Sequence, residues 1–192
     1  MKLVIDHLTR YGYDEEVKFS TQYLRLTPRS TARQTITAWT LTLPDGAAVT
    51  TTDGWGNVLH VLTLDNPHKE ITIRASGIVD IADEGEETRD EEAELLSPLV
   101  FLRCTPLTRA DTAIREFAQR LYRPDAAEES LNQLMADLLL RMPYSPGATQ
   151  VQDSAADAFA RAKGVCQDHT HVFLACCRAL EIPARYVSGY VY

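Results

Sequence analysis

Gly164-Val165-Cys166-Gln167-Asp168 holds the residues best suited, by type and spacing, to do chemistry. A cysteine stands just after a glycine, and the run from His169 to Leu180 reads as a helix. A thiol at a helix N-terminus faces unpaired N–H groups and the positive end of the macrodipole, which favours its thiolate. The chemistry would be nucleophilic attack through a covalent intermediate. From these residues alone a second reading stays open, because a lone cysteine also serves as a small buried hydrophobe. That plainer reading is the one taken for Cys104, Cys176 and Cys177.

A nucleophile needs a base. Only His169 and His171 of the five histidines lie near Cys166 in sequence. His169 shares its side of the helix, whereas His171 is rotated by about 140° and points elsewhere. Two side chains on one helix both lean towards its N-terminus, so neither approaches a substrate carbonyl from a separate direction, and His169 reads as a neighbour rather than the base. The same residues invite a zinc reading with Cys176-Cys177, but structural zinc draws ligands from two elements and no partner from a second segment is evident. Adjacent helical cysteines also reach disulfide geometry poorly, which argues against a redox pair. No metal or cofactor is called for.

The elements that must position Cys166 are helices. Thr108-Arg109-Ala110-Asp111 resembles a capping box, followed by Ile114, Phe117, Ala118 and Leu121 on one face. Ser130-Leu131-Asn132-Gln133 is a second, opening a helix with Leu131, Leu134, Met135, Leu138 and Met142 on its buried stripe. A third helix is expected from Ser154, with Asp157 in its first turn and Gly164 as a left-handed cap. The fourth aligns Cys166, Thr170, Phe173, Cys177 and Leu180 as a core-facing stripe and stops at Pro183, and Ala184 to Tyr192 has the character of a strand.

Upstream, Lys18 to Leu26, Gln34 to Leu43, Val58 to Leu64 and Glu70 to Val79 favour strands, separated by turns at Pro44-Asp45-Gly46, Asp53-Gly54-Trp55-Gly56-Asn57 and Asn66-Pro67. Short strands at this spacing suggest a β-sandwich, with Trp39 and Trp55 as packing residues. The acidic run from Asp83 to Glu94 lacks the spacing of a calcium loop and reads as a solvated hairpin or linker. The fold class is therefore α+β. A formal charge of −8 and the absence of a basic cluster exclude nucleic acid as a partner. No window is long enough for a membrane span, Asp6, His7 and Arg10 break up any leader-like start, and the cysteine spacing fits a reducing cytoplasm.

Gly164-Val165-Cys166-Gln167-Asp168, the apolar helix, and Ile182-Pro183-Ala184-Arg185-Tyr186-Val187-Ser188-Gly189-Tyr190 together resemble the nucleophile segment of bacterial transglutaminase-like proteins, a family described as cysteine proteases. Leu24-Arg25-Leu26-Thr27-Pro28-Arg29, the Asp53 to Asn57 turn and Phe101-Leu102-Arg103 are similar to the sandwich that precedes that core. The resemblance implies an N-terminal antiparallel β-sandwich over 1–105 and part of a transglutaminase-like core over 106–192. It also implies a Cys-His-Asp triad acting on a peptide or glutamine-type amide through a thioester, with Cys166 as nucleophile.

In the family the base His and its Asp come from strands after the Gly-Tyr strand, and no residue here matches either. Without the base, catalysis falls by about 100- to 10,000-fold. The expectation is an inactive fragment truncated before the His and Asp, able to self-associate through its C-terminal strand. A non-catalytic protein-binding or scaffold module is the rival reading. Glu181 stands where the family tends to have Gly, so a left-handed cap there is mildly strained.

Overall fold

A computed structural model describes residues 1–82 and 96–190. The expectation for the acidic run at 83–94 falls outside the described residues. Two compact units are present, Met1–Leu96 with Gly189–Tyr192, and Ser97–Ser188.

The first unit is a pair of three-stranded antiparallel sheets. β1 (Lys2–Val17), β6 (His68–Ile81) and β3 (Gln34–Thr42) form one in the order β1-β6-β3. β2 (Ser20–Thr27), β5 (Val58–Leu64) and β4 (Ala47–Thr52) form the other in the order β2-β5-β4. Leu24, Leu62 and Leu64 of the second sheet share one buried cluster with Ile71 and Ile73 of the first, as a sandwich requires. β1 and β4 escape the sequence pattern for different reasons. β1 is an edge strand whose outward positions carry Lys2, Asp6 and Arg10, and Asp6 pairs with Arg74 on β6. β4 is exposed along its whole length, so nothing in its alternation marks a buried face. The turn between β4 and β5 is organised by Asp53. Its carboxylate accepts from Arg25 Nε at 2.6 Å and from the Trp55 and Asn57 amides at 2.9 Å, which holds it far below the usual carboxylate range.

The second unit is helical: α1 (Thr112–Leu121), α2 (Ala127–Arg141), α3 (Ala155–Arg161) and α4 (Cys166–Ala179). α4 packs against the other three. That central position accounts for the unbroken apolar run after His171. Two expected caps are corrected. Asp111 rather than Thr108 caps α1, accepting from Ile114 N at 2.8 Å, while Thr108 belongs to a 3-10 turn at Pro106–Thr108. Ser130 lies inside α2, which opens three residues earlier, and its buried hydroxyl donates to the Ala127 carbonyl at 3.0 Å. The buried stripe of α2 is Ser130, Leu134 and Leu138, continued by Met142 just after the helix, with Met135 exposed. α3 starts as its pattern demands, with Ser154 Oγ accepting from Asp157 N at 3.2 Å.

Arg178, near the end of α4, ties three segments of this unit. Its guanidinium donates to the Phe101 carbonyl at 3.0 Å, the Thr108 hydroxyl at 2.6 Å and the Ala184 carbonyl at 2.9 Å. No strand is assigned from Pro183 to Tyr190, because none of those residues has a ladder partner among the described residues. Tyr190 instead belongs to the sheet unit. It lies 5.3 Å from the Trp39 ring and 5.5 Å from His7, and donates to the Leu26 carbonyl at 2.8 Å.

Candidate active site

Cys166 is the first residue of α4 and is exposed. The expected core stripe through Cys166 is therefore corrected: the core face of α4 is Val172, Ala175 and Cys176, which leaves Cys166 outside it. The other two cysteines of the helix behave as small buried hydrophobes. Burial pushes the Cys176 thiol up to about 12 and the Cys177 thiol up to about 11, so neither is a thiolate near neutrality. The single apolar run of the helix thus contains two inert thiols, and its N-terminus presents an accessible one.

The first turn of α4 is built around Asp168, which is 2% exposed. Its Oδ2 accepts from Val165 N at 2.7 Å and from the Thr149 hydroxyl at 2.6 Å. A carboxylate at the third helical position caps an orphan N–H and complements the positive end of the dipole. Gly164 exists to admit it. A Cβ at Gly164 would lie 2.7 Å from Asp168 Cβ and 2.8 Å from its Oδ2. The left-handed cap expected at Gly164 is found at Ala162 instead, with φ 54°, and Gly164 has no positive φ. The glycine is needed for close approach, not for backbone freedom.

The loop after α2 walls this turn. Gly164 N donates to the Pro143 carbonyl at 3.4 Å and Ser145 N donates to the Gly164 carbonyl at 2.8 Å, a short parallel bridge between Tyr144 and Gly164. Gln167 Nε2 donates to the Val151 carbonyl at 3.1 Å. The loop is thus fastened at both ends to the residues flanking Cys166. None of these partners is legible in the sequence, since each is set by a contact across 16 or more positions; the weak signal for Asp168 is its placement three residues after Val165.

The structure also places both nearby histidines. His169 Nε2 donates to the Met142 carbonyl at 2.6 Å, so that nitrogen carries its proton and is occupied. His171 is 8% exposed, with its ring 5.9 Å from that of Tyr186 and its Nδ1 without a hydrogen-bond partner. Burial lowers its pKa, opposed by the charge of Asp168. Neither ring makes a hydrogen bond to Cys166. Among the described residues no cluster of His, Cys, Asp or Glu is arranged to hold a metal, and no helix is long and apolar enough to cross a membrane.

A two-sheet unit and a helical unit, with an exposed thiol at the first position of the central helix, make an α+β protein. Residues 3–80 match the bacterial transglutaminase-like N-terminal region, and residues 115–192 match the transglutaminase-like superfamily. An uncharacterized protein of Mycobacterium leprae is 31% identical over 199 residues, covering 100% of this chain and 71% of its own length. An uncharacterized protein of Mycobacterium tuberculosis is 30% identical over 203 residues, covering 97% of this chain and 65% of its own. The chain belongs to the bacterial transglutaminase-like proteins. The crystal structure of "a Putative Cysteine Protease from Cytophaga hutchinsonii" has the same fold, with a TM-score of 0.74 over 95% of this chain and 65% of that one, at 19% identity. The chain thus spans about two thirds of the length of these relatives.

Proposed function

We propose that Cys166 is the nucleophile of an acyl transfer or hydrolysis at a peptide or glutamine-type amide. In this reading the sulfur attacks the amide carbon, the C–N bond breaks as the amine takes up a proton, and the thioester passes its acyl group to water or a second amine. The observation that carries it is the exposure of Cys166 at the first position of a 14-residue helix whose other two cysteines are buried. Membership of the transglutaminase-like superfamily and the fold shared with a protein named as a cysteine protease support the class of chemistry. Neither His169 nor His171 hydrogen-bonds Cys166, and a cysteine without a base to aid the leaving group turns over unactivated amides poorly.

An activated ester tests the nucleophile without a base, because p-nitrophenolate leaves unprotonated. Incubation with p-nitrophenyl acetate is expected to form an S–C bond at Cys166 and release p-nitrophenolate. Peptide mapping should find the acetyl group on Cys166 ahead of Cys104, and Cys166→Ser should lose it. Equal acetylation of Cys104 and Cys166 would overturn the reading.

A further inference from the structure

Each sheet of the first unit ends in two edge strands, β1 and β3 in one, β2 and β4 in the other. An edge offers unpaired N–H and C=O groups, and proteins guard it with charges or bulges. β1 carries Lys2, Asp6 and Arg10 and shifts register between Gly12 and Val17. β2 carries Arg25 and shifts between Leu24 and Thr27, and β3 shifts between Ile36 and Ala38. β4 has neither device. Its sequence, Ala47-Ala48-Val49-Thr50-Thr51-Thr52, holds no charge, runs against β5 with no shift, and is exposed at every position.

The alternation of bonds fixes which groups are open. Asp53 N donates to the Asn57 carbonyl at 3.0 Å, in the same register that sets Thr51 opposite Leu59 and Val49 opposite Val61. Bonded and non-bonded pairs alternate along an antiparallel ladder, so Ala47, Val49 and Thr51 bond to β5 while Ala48, Thr50 and Thr52 turn their N–H and C=O outward. Among the described residues no strand lies on that side.

We propose that β4 is where two copies of this chain join, edge to edge and antiparallel, about a two-fold axis at Thr50. That axis sets Thr50 against itself and Ala48 against Thr52 of the second copy, so all three open residues exchange both bonds. No other antiparallel register of β4 on itself engages all three. Val49 then lies opposite Thr51 of the second copy, a close pair of β-branched side chains. An isologous contact sets each residue near its own copy, so a charged strand would repel itself and this uncharged one does not. A second copy is favoured over a foreign peptide, because strand addition draws its specificity from pockets beside the edge, and β4, exposed on both faces, lies beside none. The outer face adds apolar continuity. Tyr23, Val61 and Val49 are cross-strand neighbours, with Tyr23 and Val49 largely exposed, and the pairing brings this row against the same row of the second copy.

Sedimentation velocity on the full chain reads the assembly, in reducing buffer so that exposed Cys104 and Cys166 cannot link copies. A contact of one strand per copy is at the small end of specific interfaces, so the dimer is expected to fill between about 10 and about 500 μM. Thr50→Pro deletes an outward N–H and leaves the β5 ladder intact; losing both Thr50 bonds should raise the dissociation constant at least about tenfold. Thr50→Lys and Thr50→Glu each set like charges face to face and should be monomers, while an equimolar mixture of the two should dimerise again. That rescue also shows that both variants are folded. Three results overturn the proposal: a wild-type chain still monomeric at about 500 μM, a dimer that the Thr50 variants leave intact, as one through Ala184 to Tyr192 would be, or a mixture that stays monomeric.

Discussion

Replacing Gly164 by Ala tests whether the turn that presents Cys166 is set by close approach. The added Cβ would meet Asp168 Cβ at 2.7 Å, Oδ2 at 2.8 Å and Cγ at 3.0 Å. Carbon atoms prefer about 3.5–4.0 Å, so the overlap is close to 1 Å. All three atoms belong to one buried side chain that cannot swing away without giving up Val165 N and Thr149 Oγ1. Overpacking of this kind costs about 1–3 kcal/mol, and losing a buried hydrogen bond costs a similar amount, so about 2–3 kcal/mol is expected. The decisive experiment is a double-mutant cycle with Asp168→Gly, which removes the obstructing atoms. The helix-propensity and hydrogen-bond costs of that change appear in both arms and cancel, leaving a coupling of about 2 kcal/mol. Asp168→Ala, which keeps the Cβ, relieves only part of it. Urea unfolding should be followed by circular dichroism at 222 nm, since all four helices are in the second unit while Trp39 and Trp55 lie in the first. A Gly164→Ala cost that is the same in the presence and absence of the Asp168 side chain would refute the reasoning.

Three further outcomes are expected. Iodoacetamide at pH 7.5 should add two groups to the folded chain, at Cys104 and Cys166, and four in denaturant, because burial holds Cys176 and Cys177 up to about 12 and about 11; intact mass would show it. His171 has a folded pKa below its unfolded value near 6.5, so below that pH the unfolded chain binds more protons and stability falls. The urea midpoint should therefore drop between pH 7.5 and 5.5, and the drop should be smaller in His171→Gln; an identical pH slope in the variant would contradict this. Glu181 has φ 59° just after α4, where its charge also opposes the dipole, so Glu181→Gly should stabilise the helical unit by about 1 kcal/mol, read as a raised thermal midpoint.

The α+β class and the helix after Cys166 were legible because each depends on local chemistry, and the strain at Glu181 because the family resemblance puts a glycine there. Alternation marks strands with a buried face, and a Gly-Val-Cys step before an apolar run marks a helix start. β4 was not legible because it buries nothing, and β1 because an edge strand carries charge outward. The capping boxes at Thr108 and Ser130 failed for different reasons. Thr108 accepts from Arg178, 70 residues away, and Ser130 lies inside α2, where its hydroxyl donates locally to the carbonyls of Ala127 and Arg123.

The same division holds at the site. By itself the sequence determined that Cys166 opens a helix, since that follows from residue type and order. Only the tertiary structure decided which face of that helix is core, what Gly164 makes room for, and which histidines are occupied. Those depend on Met142, Thr149, Phe101 and Thr108 reaching α4 from other segments. A helix end has orphan donors and acceptors wherever it lies, so its local pattern can be read, but the partners that satisfy them are fixed by packing across the chain.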